Sequence, residues 1–159
     1  MARGTFKNVR FIIEEAGGAA LRHIPINSLS VVGIAYDEQD LTAWQDAVKN
    51  VLPSMPDAPI EWGGPFDNSI AAVSPALSGS HTVLSALAGG VSPSTIDIQF
   101  GMGGAVWAGG SPQFGITGTA ANGYLVTKYT VDPASMTYSA RAVLYPGSAA
   151  PAWGTVAEA

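Results

Sequence analysis

The sequence contains no cysteine, little charge of either sign and very few basic residues. Because thiols are missing, disulfides and thiolate metal sites are excluded. Charged residues make up 12% of the chain, roughly half of the ~25% found in soluble domains. A subunit with so little surface charge is expected to cover much of its exterior with copies of itself. The alternative is a monomeric β domain whose surface is rich in threonine, serine and glycine.

Seven basic residues face twelve acidic ones, which gives a net charge of −5, and the basic residues are scattered along the chain. Binding to a phosphate backbone needs several convergent cations, so nucleic-acid binding is not expected. No apolar run approaches membrane-spanning length, and the first ten residues lack the apolar core of a signal peptide. These observations predict a protein that does not enter a membrane and is made in the cytoplasm, or is exported by a route that the sequence does not show.

The length of 159 residues predicts one domain, residues 1–159, with a C-terminal tail at 146–159. Alternating patterns predict a mainly β (α+β) fold, an antiparallel sandwich or barrel with one or two short flanking helices. The strongest pattern covers residues 113–145 and predicts three consecutive antiparallel strands. Asn122-Gly123 is expected to close the first hairpin, and Asp132-Pro133-Ala134-Ser135 the second.

The middle strand of this predicted meander, Tyr124 to Val131, carries bulky residues on both faces. A strand of this kind is expected to be covered twice, by a second sheet or by a neighbouring subunit. The third strand, Met136 to Tyr145, alternates small or apolar residues with polar ones, which is typical of a half-buried strand.

Further strands are predicted over 8–15 and 20–24 as a hairpin, over 29–36 as a central strand, and at 60–62 and 95–100. A short helix is expected at 81–88, with Ser80 as its N-cap and Gly89-Gly90 at its end.

The segment 37–57 is expected to protrude from the domain. Its apolar residues Leu41, Trp44, Val48 and Val51 are spaced as on an amphipathic helix of about three turns, and Thr42-Ala43-Trp44-Gln45 fits a capping box. The acidic residues that precede this pattern would then lie at the helix N-terminus, which the helix dipole favours.

Residues with catalytic or metal-binding chemistry do not form a recognisable site. His23 and His81 are far apart and have no second ligand at strand or helix spacing. The run Ser78 to His81 lacks the pattern of a nucleophile elbow, and Gly101 to Val106 departs from a dinucleotide fingerprint. The sequence therefore predicts a protein that is not an enzyme and has no cofactor or metal.

The order of features along the chain resembles the major tail protein, or tail tube protein, of long-tailed bacteriophages. The segments that carry the resemblance are FIIEEAGGAALRHIP, LSVVGIAY, DEQDLTAWQDAVKNVLP, IEWGGPFDNS, HTVLSALAGG, TIDIQFG and GYLVTKYTVDPASMTYSARAVLYPGSAAPAWGT. The resemblance implies a β-sandwich flanked by a helix, with six copies in a ring and rings stacked into a tube through which DNA passes without specific binding. It also implies a virion tail location, other tail proteins as partners, and a long loop at 37–57 that reaches a neighbouring subunit.

Two alternatives accompany this interpretation. One is another virion structural protein, for capsid decoration or head–tail joining. The other is a β-sandwich module that binds carbohydrate or a cell surface, for which Trp62, Trp107 and Trp153 are the candidate platforms, although packing or interface roles are favoured for them.

The sequence suggests two sets of functional residues. The predicted subunit interface comprises Trp44, Val48, Trp62, Tyr124, Val126 and Trp153. The acidic candidates for the wall of a DNA channel are Glu14, Asp97 and Asp132, since acids there would keep DNA from adhering.

Overall fold

The computed structural model describes residues 9–16, 20–30, 32–69, 78–101, 109–116 and 122–156. In chain order its elements are β1 Val9–Glu14, β2 Leu21–Ile24, β3 Ser28–Leu29, β4 Ala35–Asp40, β5 Val51–Asp57, β6 Ile60–Pro65, α1 Ser80–Leu87, β7 Ile96–Phe100, β8 Pro112–Gly115, β9 Tyr124–Asp132, β10 Thr137–Leu144 and β11 Ala152–Thr155.

The strands form two antiparallel sheets and a separate hairpin. The first sheet has the order β11-β8-β7-β1-β2, the second has the order β3-β6-β10-β9, and β4 pairs with β5. One hydrophobic core contains side chains from both sheets and from α1. The prediction of a mainly β fold with antiparallel sheets is confirmed.

Several local predictions are confirmed by the strand pairing. β1 and β2 form the predicted N-terminal hairpin, in which Phe11 lies opposite Ile24, and both side chains are buried. The predicted strands at 60–62 and 95–100 are β6 and β7. The Asp132 turn joins β9 to β10, and the Asp132 carboxylate accepts a hydrogen bond from the Ala134 N–H.

The helix α1 forms where it was expected and ends at Leu87. Gly89, which follows the C-cap Ala88, has a φ of +77° that suits a glycine. The prediction that Ser80 caps it is wrong. Gly79 occupies the N-cap position, while the buried Ser80 hydroxyl donates to the Pro65 carbonyl, 3.0 Å away. Gly79 is required there because a Cβ would lie 2.6 Å from the Asp67 carbonyl oxygen.

The predicted three-stranded meander is wrong in its first step. β8 pairs with β7 and β11 in the first sheet, whereas β9 belongs to the second sheet. Asn122-Gly123 therefore does not close a β8–β9 hairpin. Gly123 is needed for a close approach instead, since a Cβ on it would lie 2.5 Å from the Ser94 carbonyl oxygen.

The two-faced pattern of β9 has a local cause. Arg141 lies opposite Lys128 and Ala142 lies opposite Val126, so Thr127 is an extra residue in a β-bulge. The bulge shifts the alternation by one position, which places Tyr129 on the same face as Val126. Tyr124, Val126 and Tyr129 therefore all contact the core, whereas Leu125 lies on the opposite face and Val131 is exposed.

The predictions for residues 29–51 are also wrong. Instead of one central strand at 29–36, the chain forms β3 at the edge of the second sheet and then β4 in the separate hairpin. The amphipathic helix predicted after Asp37 does not form, because this segment is a β-hairpin whose strands are β4 and β5.

Candidate assembly surfaces

The hairpin formed by residues 35–57, called the hairpin below, has an ordered turn. Asp40 Oδ1 accepts from the Thr42 N–H at 2.9 Å, and Asp46 Oδ2 accepts from the Ala43 N–H at 2.7 Å. Thr42 Oγ1 accepts from the Asn50 N–H at 2.9 Å. These short polar side chains bond to nearby backbone groups and so stabilise a turn where helix spacing had been inferred.

The hairpin exposes an unusual amount of apolar surface. Of the twelve large apolar residues that are exposed in the described chain, seven belong to it: Tyr36, Leu41, Trp44, Val48, Val51, Leu52 and Met55. Trp44 is fully exposed. So many exposed apolar residues in one element mark a candidate interaction site.

The hairpin is also the most acidic part of the chain. It contains five carboxylates, namely Asp37, Glu38, Asp40, Asp46 and Asp57, and one cation, Lys49. Its net charge is therefore −4, which leaves a net charge of −1 for the rest of the chain.

A row of charged residues crosses the outer face of the second sheet. Lys128 lies opposite Arg141, and Arg141 lies opposite Glu61 on the next strand. The Arg141 Nε and the Glu61 Oε1 are 3.7 Å apart, and both side chains are about half exposed. The row borders an open depression of about 330 Å³ that Ser30 and Ser139 also line.

The sequence analysis did not predict this row, although the pairing of Lys128 with Arg141 follows from the sequence. The turn at Asp132 fixes the register of β9 against β10 and thereby pairs Lys128 with Arg141. Glu61 comes from a strand far away in sequence, so its place beside Arg141 requires the sheet order.

The structure divides the six predicted interface residues into two groups. Trp44 and Val48 are exposed on the hairpin, and Trp153 is 54% exposed, with its ring against Phe114. Tyr124 and Val126 lie in the core of the chain itself, so their side chains are not available to a neighbour.

Trp62, the remaining predicted interface residue, is also buried. Its ring centroid lies 4.7 Å from that of Phe11, which joins the two sheets across the core. Trp107 lies outside the described residues.

The three acidic candidates for a channel wall lie in different surroundings. Glu14 accepts a hydrogen bond from the Thr95 N–H. Asp97 is half-buried on the outer face of the first sheet, and this burial raises the pKa of its carboxyl, although Gln99 and Arg10 act in the opposite direction. Asp132 is exposed in the β9–β10 turn, where backbone and hydroxyl hydrogen bonds lower the pKa of its carboxyl. Glu14 and Asp97 lie on the same face of the paired strands β1 and β7, two positions apart in the register, whereas Asp132 lies in the turn of the second sheet.

These opposite pKa shifts predict opposite effects of substitution. A folded-state pKa that is raised costs stability as pH rises through it, so Asp97→Asn is expected to stabilise the fold at pH 7, by less than about 1 kcal/mol because solvent screens the group. Asp132→Ala is expected to destabilise it at pH 7. Both differences should be smaller at pH 3 than at pH 7, because Asp97 is then largely protonated in both states, and Asp132 loses its advantage as pH falls toward its lowered folded-state pKa. Thermal unfolding at the two pH values tests this, and stabilisation by Asp97→Asn that persists at low pH would contradict it.

Neither histidine is part of a metal cluster in the described chain, where no group of three potential ligands is found. His81 Nδ1 lies 3.0 Å from the Tyr129 hydroxyl and so connects α1 to β9. The pKa of His23 is lowered mainly by burial and, to a smaller extent, by the positive charge of Arg10. No helix in the described segments is long and apolar enough to cross a membrane.

Comparison with known proteins gives matches in structure alone. No family model matches the sequence, and no curated protein matches it. A chain in the cryo-EM structure of the anti-feeding prophage cap, the AFP tube terminating cap, aligns with a TM-score of 0.56 and 14% identity, over 92% of this chain and 89% of that one.

A second structure is the PVC sheath–tube complex of an extracellular contractile injection system in its extended state. Its matching chain has a TM-score of 0.50 and 15% identity, again over 92% of this chain and 89% of that one. At sequence identities this low, the two matches show a shared fold only. They do not single out the major tail protein of long-tailed bacteriophages. The chain therefore shares its fold with chains from a tube-terminating cap and from a sheath–tube complex.

Proposed function

We propose that this chain is a structural, non-enzymatic subunit of a tail-like assembly, in which six copies form a ring and rings stack into a tube through which DNA passes. The observation that carries the proposal is the hairpin, whose apolar residues are exposed in the isolated chain. Burying them on a neighbour would contribute roughly 25 cal/mol per Å² of apolar surface. The tail-related fold is consistent with this role.

The shape of the hairpin favours rings or tubes over a two-fold dimer. The strands β4 and β5 pair only with each other within the described residues, and we infer that the hairpin projects from the sheets. When a projection of one copy docks on a different surface of the next, the contact is heterologous, and such contacts produce closed rings or open helical stacks. The edge strand β9 has a neighbouring strand on one side only, and although Tyr124 bridges Ser94 and Val126 accepts from Gly89, its later residues offer backbone groups as a second contact of this kind.

Passage of DNA without specific binding is supported by the charges. The net charge is −5, and Arg22 is paired with Glu15 at 2.6 Å. Few cations are thus left to hold a phosphate backbone. In this proposal the chain is made in the host cytoplasm, joins the tail of a virion or a related particle, and contacts other tail proteins.

A second candidate is a subunit that terminates a tube, because the anti-feeding prophage structure with the TM-score of 0.56 is described as a tube terminating cap. A cap is expected to form a single ring and to bind the end of a tube made by another protein, whereas a tube subunit stacks its own rings.

The test is the assembly state of the purified chain. Light scattering during size-exclusion chromatography and negative-stain microscopy are expected to show sixfold rings or tubes at high concentration, and amide exchange in the hairpin should slow on assembly. Single rings that never stack would favour the cap. A chain that stays monomeric at millimolar concentration would refute self-assembly.

A further inference from the structure

We propose that the row of Lys128, Arg141 and Glu61 on the outer face of the second sheet receives the hairpin of a second copy. This inference rests on the proposed self-assembly and specifies the surface that accepts the projecting element. The acidic side chains of β4 would then meet the two cations, while the depression beside the row would accommodate part of the hairpin.

The pairing of Lys128 with Arg141 is unfavourable in the isolated chain. The two residues lie directly opposite each other on neighbouring strands, and like charges in that position destabilise a sheet. Glu61 can compensate the charge of only one of these cations, Arg141, whose Nε lies 3.7 Å from the Glu61 Oε1. Since the chain has only seven basic residues, placing two of them side by side suggests that an anionic partner compensates the repulsion.

The surroundings of the row suit carboxylates. Ser28, Ser30 and Ser139 line the depression together with the charged side chains and provide hydroxyls that can donate to carboxylate oxygens. Leu29, Trp62 and Ala140 complete its lining. The side chains of Trp62 and Ala140 face the core, so what the depression offers an acidic strand is chiefly hydroxyls and cations.

The distribution of charge favours the hairpin as the occupant. It carries −4 of the net −5, so it is the main anionic feature of the chain. A nucleic acid is the other anionic candidate, but two cations beside a carboxylate are too few to hold a phosphate backbone on an acidic protein. Charge complementarity therefore points to a second copy of this chain.

Charge reversal on each side tests the contact. Lys128→Glu/Arg141→Glu is expected to raise the concentration needed for assembly by at least about tenfold, because close ion pairs are replaced by repulsion. Asp37→Lys/Glu38→Lys should have the same effect, and neither residue makes a described hydrogen bond in the turn. The variant with all four substitutions has the wild-type net charge and is expected to assemble again.

Mixing gives the sharpest result. An equimolar mixture of the two double variants pairs each reversed row with a reversed hairpin, so it should assemble with both chains in equal amounts while each alone does not. Lys128→Arg/Arg141→Lys keeps both charges and serves as the matched control that should assemble.

The outcomes separate this inference from the function on which it rests. If the wild-type chain stays monomeric, self-assembly itself fails. If the wild-type chain assembles and the Lys128→Glu/Arg141→Glu variant does so at the same concentration, only the accepting surface is wrong. Binding of a labelled DNA duplex by wild type but not by that variant would assign the row to nucleic acid and overturn the inference.

Discussion

Val126→Asp is expected to unfold the subunit. The side chain is 4% exposed and belongs to the core that joins both sheets and α1. The substitution removes a buried aliphatic group, worth roughly 1.5–3 kcal/mol, and adds an unpaired carboxylate whose burial costs several kcal/mol more. Because domains of this kind are stable by only about 5–15 kcal/mol, most of the chain should lose its near-ultraviolet circular dichroism at 25 °C.

Thr130→Asp is the matched control on the same strand. Thr130 is exposed, and it lies opposite Ser139 on the outer face of the second sheet. The same new carboxylate is therefore placed in water, and the loss should stay within about 1 kcal/mol. If the Val126→Asp variant has the same thermal stability as wild type and yet fails to assemble, Val126 belongs to the subunit interface and not to the core.

The bulge at Thr127 explains why the sequence was misleading at this point. Strict alternation places Tyr129 on the face opposite to Tyr124 and Val126, and this made both faces of the strand look bulky. A bulge has no signature in residue types here, since Thr127 is an ordinary strand residue. Its position becomes visible only in the pairing of β9 with β10.

The hairpin shows a different limit of sequence reasoning. Apolar residues at positions 41, 44, 48 and 51 match helix spacing, but they match it by coincidence, because none of them is buried within the chain. The spacing of apolar residues predicts a helix only when one face of the helix is buried against a core, and these residues pack against no core within the described chain. The two prolines in β5, Pro53 and Pro56, favour an extended edge over a helix. That this segment protrudes from the domain stays a prediction.

Long-range pairing could not be derived from the sequence. The Asp132 turn identified its hairpin correctly because the signal is local, and the same local logic failed at Asn122-Gly123, where the chain passes from one sheet to the other. The glycine was recognised as special, but the contact that requires it is with Ser94, far away in sequence. For the same reason, the pairing of Lys128 with Arg141 can be predicted from the sequence, whereas the position of Glu61 beside Arg141 cannot.

Removing the hairpin is expected to abolish assembly and leave the fold intact. The change replaces residues 36–56 with Asn-Gly, which can close a two-residue turn between the paired Ala35 and Asp57. Every residue of β4 is exposed, and most of β5 is exposed as well, so little core packing is lost. The midpoint of thermal unfolding should therefore change little, while light scattering should show monomers at concentrations where the wild-type chain assembles.

A milder variant separates the contacts of the hairpin from its mere presence. Trp44→Ser/Val48→Ser keeps the backbone and the turn hydrogen bonds but removes two exposed apolar side chains near the tip. Each lost side chain forfeits up to about 1.5–3 kcal/mol of burial on a neighbour, so assembly should need at least about tenfold more protein. Gln45→Ser, an exposed polar neighbour, is the matched control and should assemble like wild type.

Two results for the deletion variant would contradict its prediction. Rings formed by that variant would show that the hairpin is not the assembly element, and unfolding of that variant would show that the hairpin supports the sheets.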